Sequence, residues 1–299
     1  MINILNKKNL VRGALLAMAF ASTFTSAGEI IVIYSDQEGE GFYSNEAFTP
    51  EGGNEAKTLG EARRNVLLRA IRMVEAQVNI KSDFSIEVAF ESLDGYGAIT
   101  WGPRHREFIV DNANPYGLLE VGRWYPQNLM YSLQDTDKSK WENYDPYNNL
   151  DNTISSITFS PSDSRYMGFD NKGNERSFIS TVLHELVHSL GFSDLSCLGS
   201  CYPEPSSLIT NFSRFIYIDG SPLALFESLS IPDQETAVSS GDGLFFVGST
   251  ATQENLMKIL SGGVHDGAVE LHADGSLDGQ EISHFSPNVY PEQLMASIG

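Results

Sequence analysis

The 299-residue chain is 41% hydrophobic and 11% aromatic, enough to bury a full core and to exclude a disordered chain. Its formal charge of −20, from 39 acidic against 19 basic residues, argues against nucleic acid and anionic membranes as partners and suits a protein kept soluble by repulsion.

Residues 1–27 form a basic start with Lys7, Lys8 and Arg12, an apolar stretch, and a small residue before Gly28. This layout predicts a signal peptide cleaved after Ala27, and hence a secreted or periplasmic protein. The apolar run is well short of the roughly 20 residues that span a bilayer, so no stable membrane insertion is expected. Its removal would take the formal charge from −20 to −23.

In chain order, EIIVIYSD has the β-branched density of a buried strand. The Gly-rich, polar residues 36–57 read as loop, a candidate for a removable pro-segment or a cover over a cleft. Thr58 and Glu61 form a capping box ahead of a helix in which Ala62, Val66, Leu67, Ala70, Ile71, Val74 and Val78 recur at helical spacing. FSIEVAFESL alternates as a strand, GAITWG, EFIVDN and LLEVGRWY read as shorter strands, and TISSITFSP (153–161) as another. The Asp-rich residues 135–145 could hold calcium through carboxylate oxygens, but their spacing is not that of an EF-hand, and no calcium site is assigned. This order predicts an α+β fold, a mixed twisted sheet with two long helices in an N-terminal lobe (about 28–191).

The second helix, over 177–190, carries STVLHELVHSLGFSD (180–194) and places Gly191 at a left-handed cap. Apolar residues cover nearly its whole circumference, so its histidines lie inside the fold or at the floor of a cleft. Beyond it, residues 192–299 are expected to form an irregular C-terminal lobe with short helical pieces at 222–229, 232–240 and 252–260 and a strand at 267–273.

His184 and His188, four apart, share one helix face, so both imidazoles can reach one zinc ion at about 2.0–2.1 Å. Glu185 is rotated by one residue, which puts its carboxylate beside the metal, where a general base belongs. The plainer alternative is a pair of buried histidines satisfied by hydrogen bonds. A catalytic zinc needs a third protein ligand and one open position. Asp194 completes H-E-x-x-H-x-x-G-x-x-D, yet it also fits a turn after the helix or a hydrogen-bond partner to a ligand histidine. The competing candidate is His284, eleven residues ahead of Met295, with His272 as backup. His105 and His265 have no partner at ligand spacing. Cys197 and Cys201 are the two cysteines and, after export, are expected to close a small disulfide loop.

HELVHSLGFS, followed at long range by SHFSPNVYPEQLMA, resembles the leishmanolysin-type metzincins, zinc metalloproteases in which an insertion separates the helical motif from a third zinc histidine. Residues 38–67 also resemble the start of uncharacterised exported bacterial relatives of that group. The resemblance covers about a third of the chain. It implies a metzincin-like fold, His184, His188 and His284 as zinc ligands, Glu185 as catalytic base and Met295 on the turn beneath the metal; for Met295 the alternative is core filling. His284 is preferred over Asp194 because imidazole is the commoner third ligand and because His284 and Met295 come together at a family-like spacing. In metzincins the strand before the helix pairs with an extended substrate, a place matched here by SSITFS (155–160). Leishmanolysins are held latent by a pro-segment cysteine. Both cysteines of this chain follow the motif, so that latency is not expected.

The implied activity is that of a secreted zinc endopeptidase, hydrolysing peptide bonds of a protein or peptide substrate with a zinc-activated water and Glu185. Two other readings are an exported non-catalytic binding or adhesion protein that keeps a structural zinc, and a hydrolase of non-peptide amides.

Overall fold

The structure is a computed structural model that describes residues 28–101, 105–107, 123–133, 155–162, 165–170, 172–173, 175–193, 210–220, 223–240, 243–248, 254, 258–273, 281–291 and 293–296. The expected signal peptide (residues 1–27), the Asp-rich stretch 135–145, Asp194, Cys197 and Cys201 lie outside the described residues.

In chain order the N-terminal part holds β1 (Ile30–Tyr34), α1 (Leu59–Gln77), β2 (Phe84–Phe90), β3 (Ala98–Trp101), β4 (His105–Glu107), β5 (Trp124–Pro126), α2 (Gln127–Leu133), β6 (Ser155–Phe159), β7 (Arg165–Tyr166), β8 (Arg176–Ser177) and α3 (Phe178–Ser189). The C-terminal part adds β9 (Ile216–Ile218), β10 (Ala224–Leu225), α4 (Ile231–Ser239), β11 (Leu244–Phe246), β12 (Val264–His265) and β13 (Ala268–Glu270). The class is α+β. Among the described residues no helix is long and apolar enough to cross a membrane.

The main sheet has the order β1-β2-β6-β3, with β1, β2 and β6 parallel and β3 antiparallel to β6. Helices α1 and α3 pack on it. Val66, Leu67 and Ala70 of α1 meet Ile86 and Val88 of β2, Ile157 and Phe159 of β6, and Phe178, Val182 and Leu186 of α3, all fully buried. Each of these side chains larger than alanine adds about 1.5–3 kcal/mol of burial free energy, which is what holds a helix of ordinary propensity in place.

The capping box of α1 forms with a shift of one residue. Thr58 Oγ1 accepts the Glu61 N–H at 3.2 Å, while the Glu61 carboxylate accepts the N–H of Lys57 at 2.8 Å.

Three expectations need correction. SSITFS is not an edge: β6 is paired on both sides, and among the described residues the sheet ends at β3 beside α3. The hydrogen-bond order of strands is set by long-range pairing, which a local pattern does not encode.

Residues 36–57 are not a detached cover but are packed into the N-terminal core. Phe42 is fully buried in the core, and the Asp36 carboxylate accepts the N–H groups of Phe42 and Phe90 at 2.6 and 2.8 Å. Asn54, also fully buried, donates to the carbonyls of Met167 and Ala62. Gly60 lets this stretch lie against α1, since a Cβ there would stand 2.6 Å from Ser44 N. Polar and Gly-rich composition marks the segment as loop, but its side chains act as internal hydrogen-bond partners and so bind it to the fold.

The C-terminal lobe is not irregular. β10-β9-β11-β13-β12 form an antiparallel five-stranded sheet around Phe212, Ile216, Leu244, Leu271 and Ile282. The helical expectation at 222–229 is replaced by β10 and a short 3-10 turn, Phe226–Ser228. Strands of two or three residues are too short for alternation to be visible.

Candidate metal centre

Helix α3 presents His184 and His188 toward the C-terminal lobe. It ends in a Schellman motif: the Gly191 N–H bonds the His188 carbonyl at 2.9 Å and the Phe192 N–H bonds the Val187 carbonyl at 3.2 Å. Gly191 has φ +102°, and a Cβ there would lie 2.9 Å from Pro126 Cγ. The turn it permits brings the Phe192 carbonyl to 2.7 Å from His188 Nδ1.

The third histidine arrives from the far end of the chain. The His284 segment lies between residues 270–272 and the C-terminal turn. The His284 carbonyl accepts from His272 N at 2.9 Å, Ser286 N–H bonds the Glu270 carbonyl at 3.0 Å, and Phe285 N–H bonds the Met295 carbonyl at 2.6 Å. Met295 is buried on that turn. Its neighbour Leu294 turns its carbonyl to His184 Nδ1 at 2.7 Å.

The Nε2 atoms of His184, His188 and His284 are separated by 3.0, 3.1 and 3.2 Å. These three residues form a group close enough to hold one metal ion. Imidazole nitrogens sharing one tetrahedral ion at about 2.0–2.1 Å stand roughly 3.3 Å apart, close to the spacing seen here.

Proton placement gives an independent test of fit. A carbonyl oxygen only accepts, so the Nδ1 atoms of His184 and His188 carry protons and donate to Leu294 and Phe192. Burial holds both imidazoles below their ordinary pKa, His188 well below with the neighbouring histidines adding to the effect, so both are neutral. Their Nε2 atoms therefore face each other at 3.0 Å as bare lone pairs, which cannot hydrogen-bond and repel unless a cation lies between them. The site fits a metal, and the plainer alternative of two histidines satisfied by hydrogen bonds does not account for this contact.

Glu185 is not among the residues that converge on that point. It is 5% exposed, and burial pushes its carboxyl up to about 7, against the opposing pull of a hydrogen bond from Thr100 and the charge of Arg165. Thr100 Oγ1 lies 2.7 Å from Glu185 Oε2 and 3.0 Å from the Glu185 carbonyl. Arg165, itself buried, donates to Thr181 one turn before Glu185.

His272 is near in sequence but does not join the cluster, and His265 lies on the surface 3.7 Å from Asp219. Thr100, Arg165 and the carbonyls of Phe192 and Leu294 are site components that the motif does not announce. A lone threonine in a short strand and two main-chain oxygens carry no sequence signal.

Compared with protein-family models, with curated proteins and with solved structures, the chain matches none.

Proposed function

We propose that the chain is an exported zinc endopeptidase of the leishmanolysin-like metzincin type, with His184, His188 and His284 as zinc ligands and Glu185 as general base. The observation that carries this reading is the triangle of Nε2 atoms within 3.2 Å of one another with Glu185 buried next to it yet outside the ligand set. Three imidazoles suit zinc, and three protein ligands leave the open position that a catalytic site needs and a structural site lacks.

Bound zinc would supply Lewis acidity, polarising the scissile carbonyl and acidifying the attacking water. The chain's own residues do the rest. His184 and His188 are held in one tautomer by the Leu294 and Phe192 carbonyls. Glu185, buried beside the ligand histidines and outside the ligand set, would accept a proton from the water and return it to the leaving amine. An extended peptide would pair along β3, which has a neighbour on one side only among the described residues and borders α3. Residues 28–191 and 192–299 would act as one catalytic unit, with the site formed between the lobes. Export would also put Cys197 and Cys201 where a disulfide forms.

The test is to express residues 28–299, measure bound metal, and follow casein cleavage by wild type and Glu185→Ala. Both should hold about one equivalent of zinc, and Glu185→Ala should keep only a small residual rate of cleavage. If both hold zinc and neither cleaves casein or a peptide library, the non-catalytic binding protein is the better reading.

A further inference from the structure

Among the described residues the hydroxyl of Thr100 is the one side-chain hydrogen-bond donor to the Glu185 carboxylate, and it comes from a different part of the fold. Thr100 sits on the terminal strand β3, opposite Ile157 of β6. Side chains alternate along a strand, so Thr100 and Ala98 share a face. Ala98 packs on the core beneath α3, and Thr100 on that face reaches Glu185.

We propose that Thr100 is the positioning residue for Glu185, fixing the carboxylate in the orientation from which it takes and returns a proton. This rests on the assignment of Glu185 as general base above. A hydroxyl has a single proton to donate. Its two acceptors are Glu185 Oε2 at 2.7 Å and the Glu185 carbonyl at 3.0 Å, and the shorter contact is to the oxygen that bears charge, the stronger kind of bond. A free glutamate side chain gives up about 1.5–2 kcal/mol of rotamer entropy when fixed in one place, so an anchor is needed to keep it aimed. Threonine suits the task because branching at Cβ limits χ1, so the strand backbone sets the hydroxyl's direction. An extended chain paired on the open side of β3 would take its position from the strand that positions the base. Peptide and base would then share one frame of reference.

The experiment compares wild type, Thr100→Val and Thr100→Ser, each alone and with Glu185→Ala, in kcat, KM and bound zinc. Valine keeps the shape and removes the donor; serine restores it. Thr100→Val should lower kcat about 10- to 100-fold, with KM and zinc content within about twofold of wild type, and Thr100→Ser should recover most of the loss. With Glu185→Ala present, Thr100→Val should change the residual rate by less than about twofold, since a residue acting through Glu185 has nothing left to position. The proposal is overturned by an active wild type with an unaffected Thr100→Val, by a loss that persists in the Glu185→Ala background, or by loss of zinc in Thr100→Val. A zinc-loaded wild type that cleaves nothing overturns the endopeptidase reading, and this assignment with it.

Discussion

The rings of Phe192 and Phe285 meet edge to face with centroids 5.3 Å apart. Phe192 ends the turn after α3 and gives its carbonyl to His188; Phe285 directly follows His284. The contact therefore joins the two segments that must meet for three imidazoles to face one point. Phe212 and Phe246 pack on the same Phe192 ring at 4.9 and 5.4 Å, so the joint belongs to the core of the C-terminal lobe.

Phe285→Ala should cost about 3 kcal/mol of stability and weaken zinc binding at least about tenfold, although it removes no ligand. Competition with a coloured chelator reads the affinity, and urea unfolding reads the stability. An unchanged zinc affinity would show that the aromatic joint does not support the site.

His284→Ala and Asp194→Ala should separate cleanly. The first deletes one of three converging nitrogens and should drop bound zinc to a small fraction of an equivalent; the second should leave it near wild type. Equal retention in the two would sink the assignment of His284.

The titrations of the site oppose each other in the metal-free protein. Burial raises Glu185 from 4.5 to about 7, so between those values the folded state holds more protons than the unfolded one, and stability falls as pH rises. His184 and His188 are lowered below 6.5, so below that pH the unfolded state holds more protons, and stability falls as pH drops. Glu185→Gln removes the first effect and leaves the second. Metal-free Glu185→Gln should exceed wild type by about 3 kcal/mol at pH 8, and the gap should close near pH 4.5. Urea unfolding at both pH values checks this; a pH-independent gap would contradict it.

Gly191→Ala should cost about 1–3 kcal/mol, because φ +102° is strained for alanine and its Cβ would press on Pro126. The same change should weaken zinc binding by shifting the Phe192 carbonyl off His188. A thermal shift without a change in zinc affinity would confine Gly191 to a structural role.

Legibility in the sequence followed the range of the interaction. Helices α1 and α3 were readable because their caps and periodicity lie within a few residues: Thr58 and Glu61 for one, Gly191 for the other. His184, Glu185 and His188 were readable for the same reason. His284 came from a family-like spacing, and the structure brings it to the other two. The position of β6 inside the sheet, the five short antiparallel strands, and Thr100 were not readable. The first and the last depend on pairing across tens of residues, and the C-terminal strands are too short to leave a periodic trace. The polar stretch before α1 misled because Asp36 and Asn54 look solvated in sequence while serving as buried hydrogen-bond partners.

Both groups that orient the helix histidines, at Phe192 and Leu294, are main-chain oxygens. No side-chain exchange at either position deletes them. The Phe192 ring is held by the aromatic joint, but neither carbonyl contact depends on a side chain, so selection on these two contacts acts on shape rather than on letters. Chains that share this centre would be found more readily by superposing the turn after α3 and the turn before Met295 than by aligning their residues.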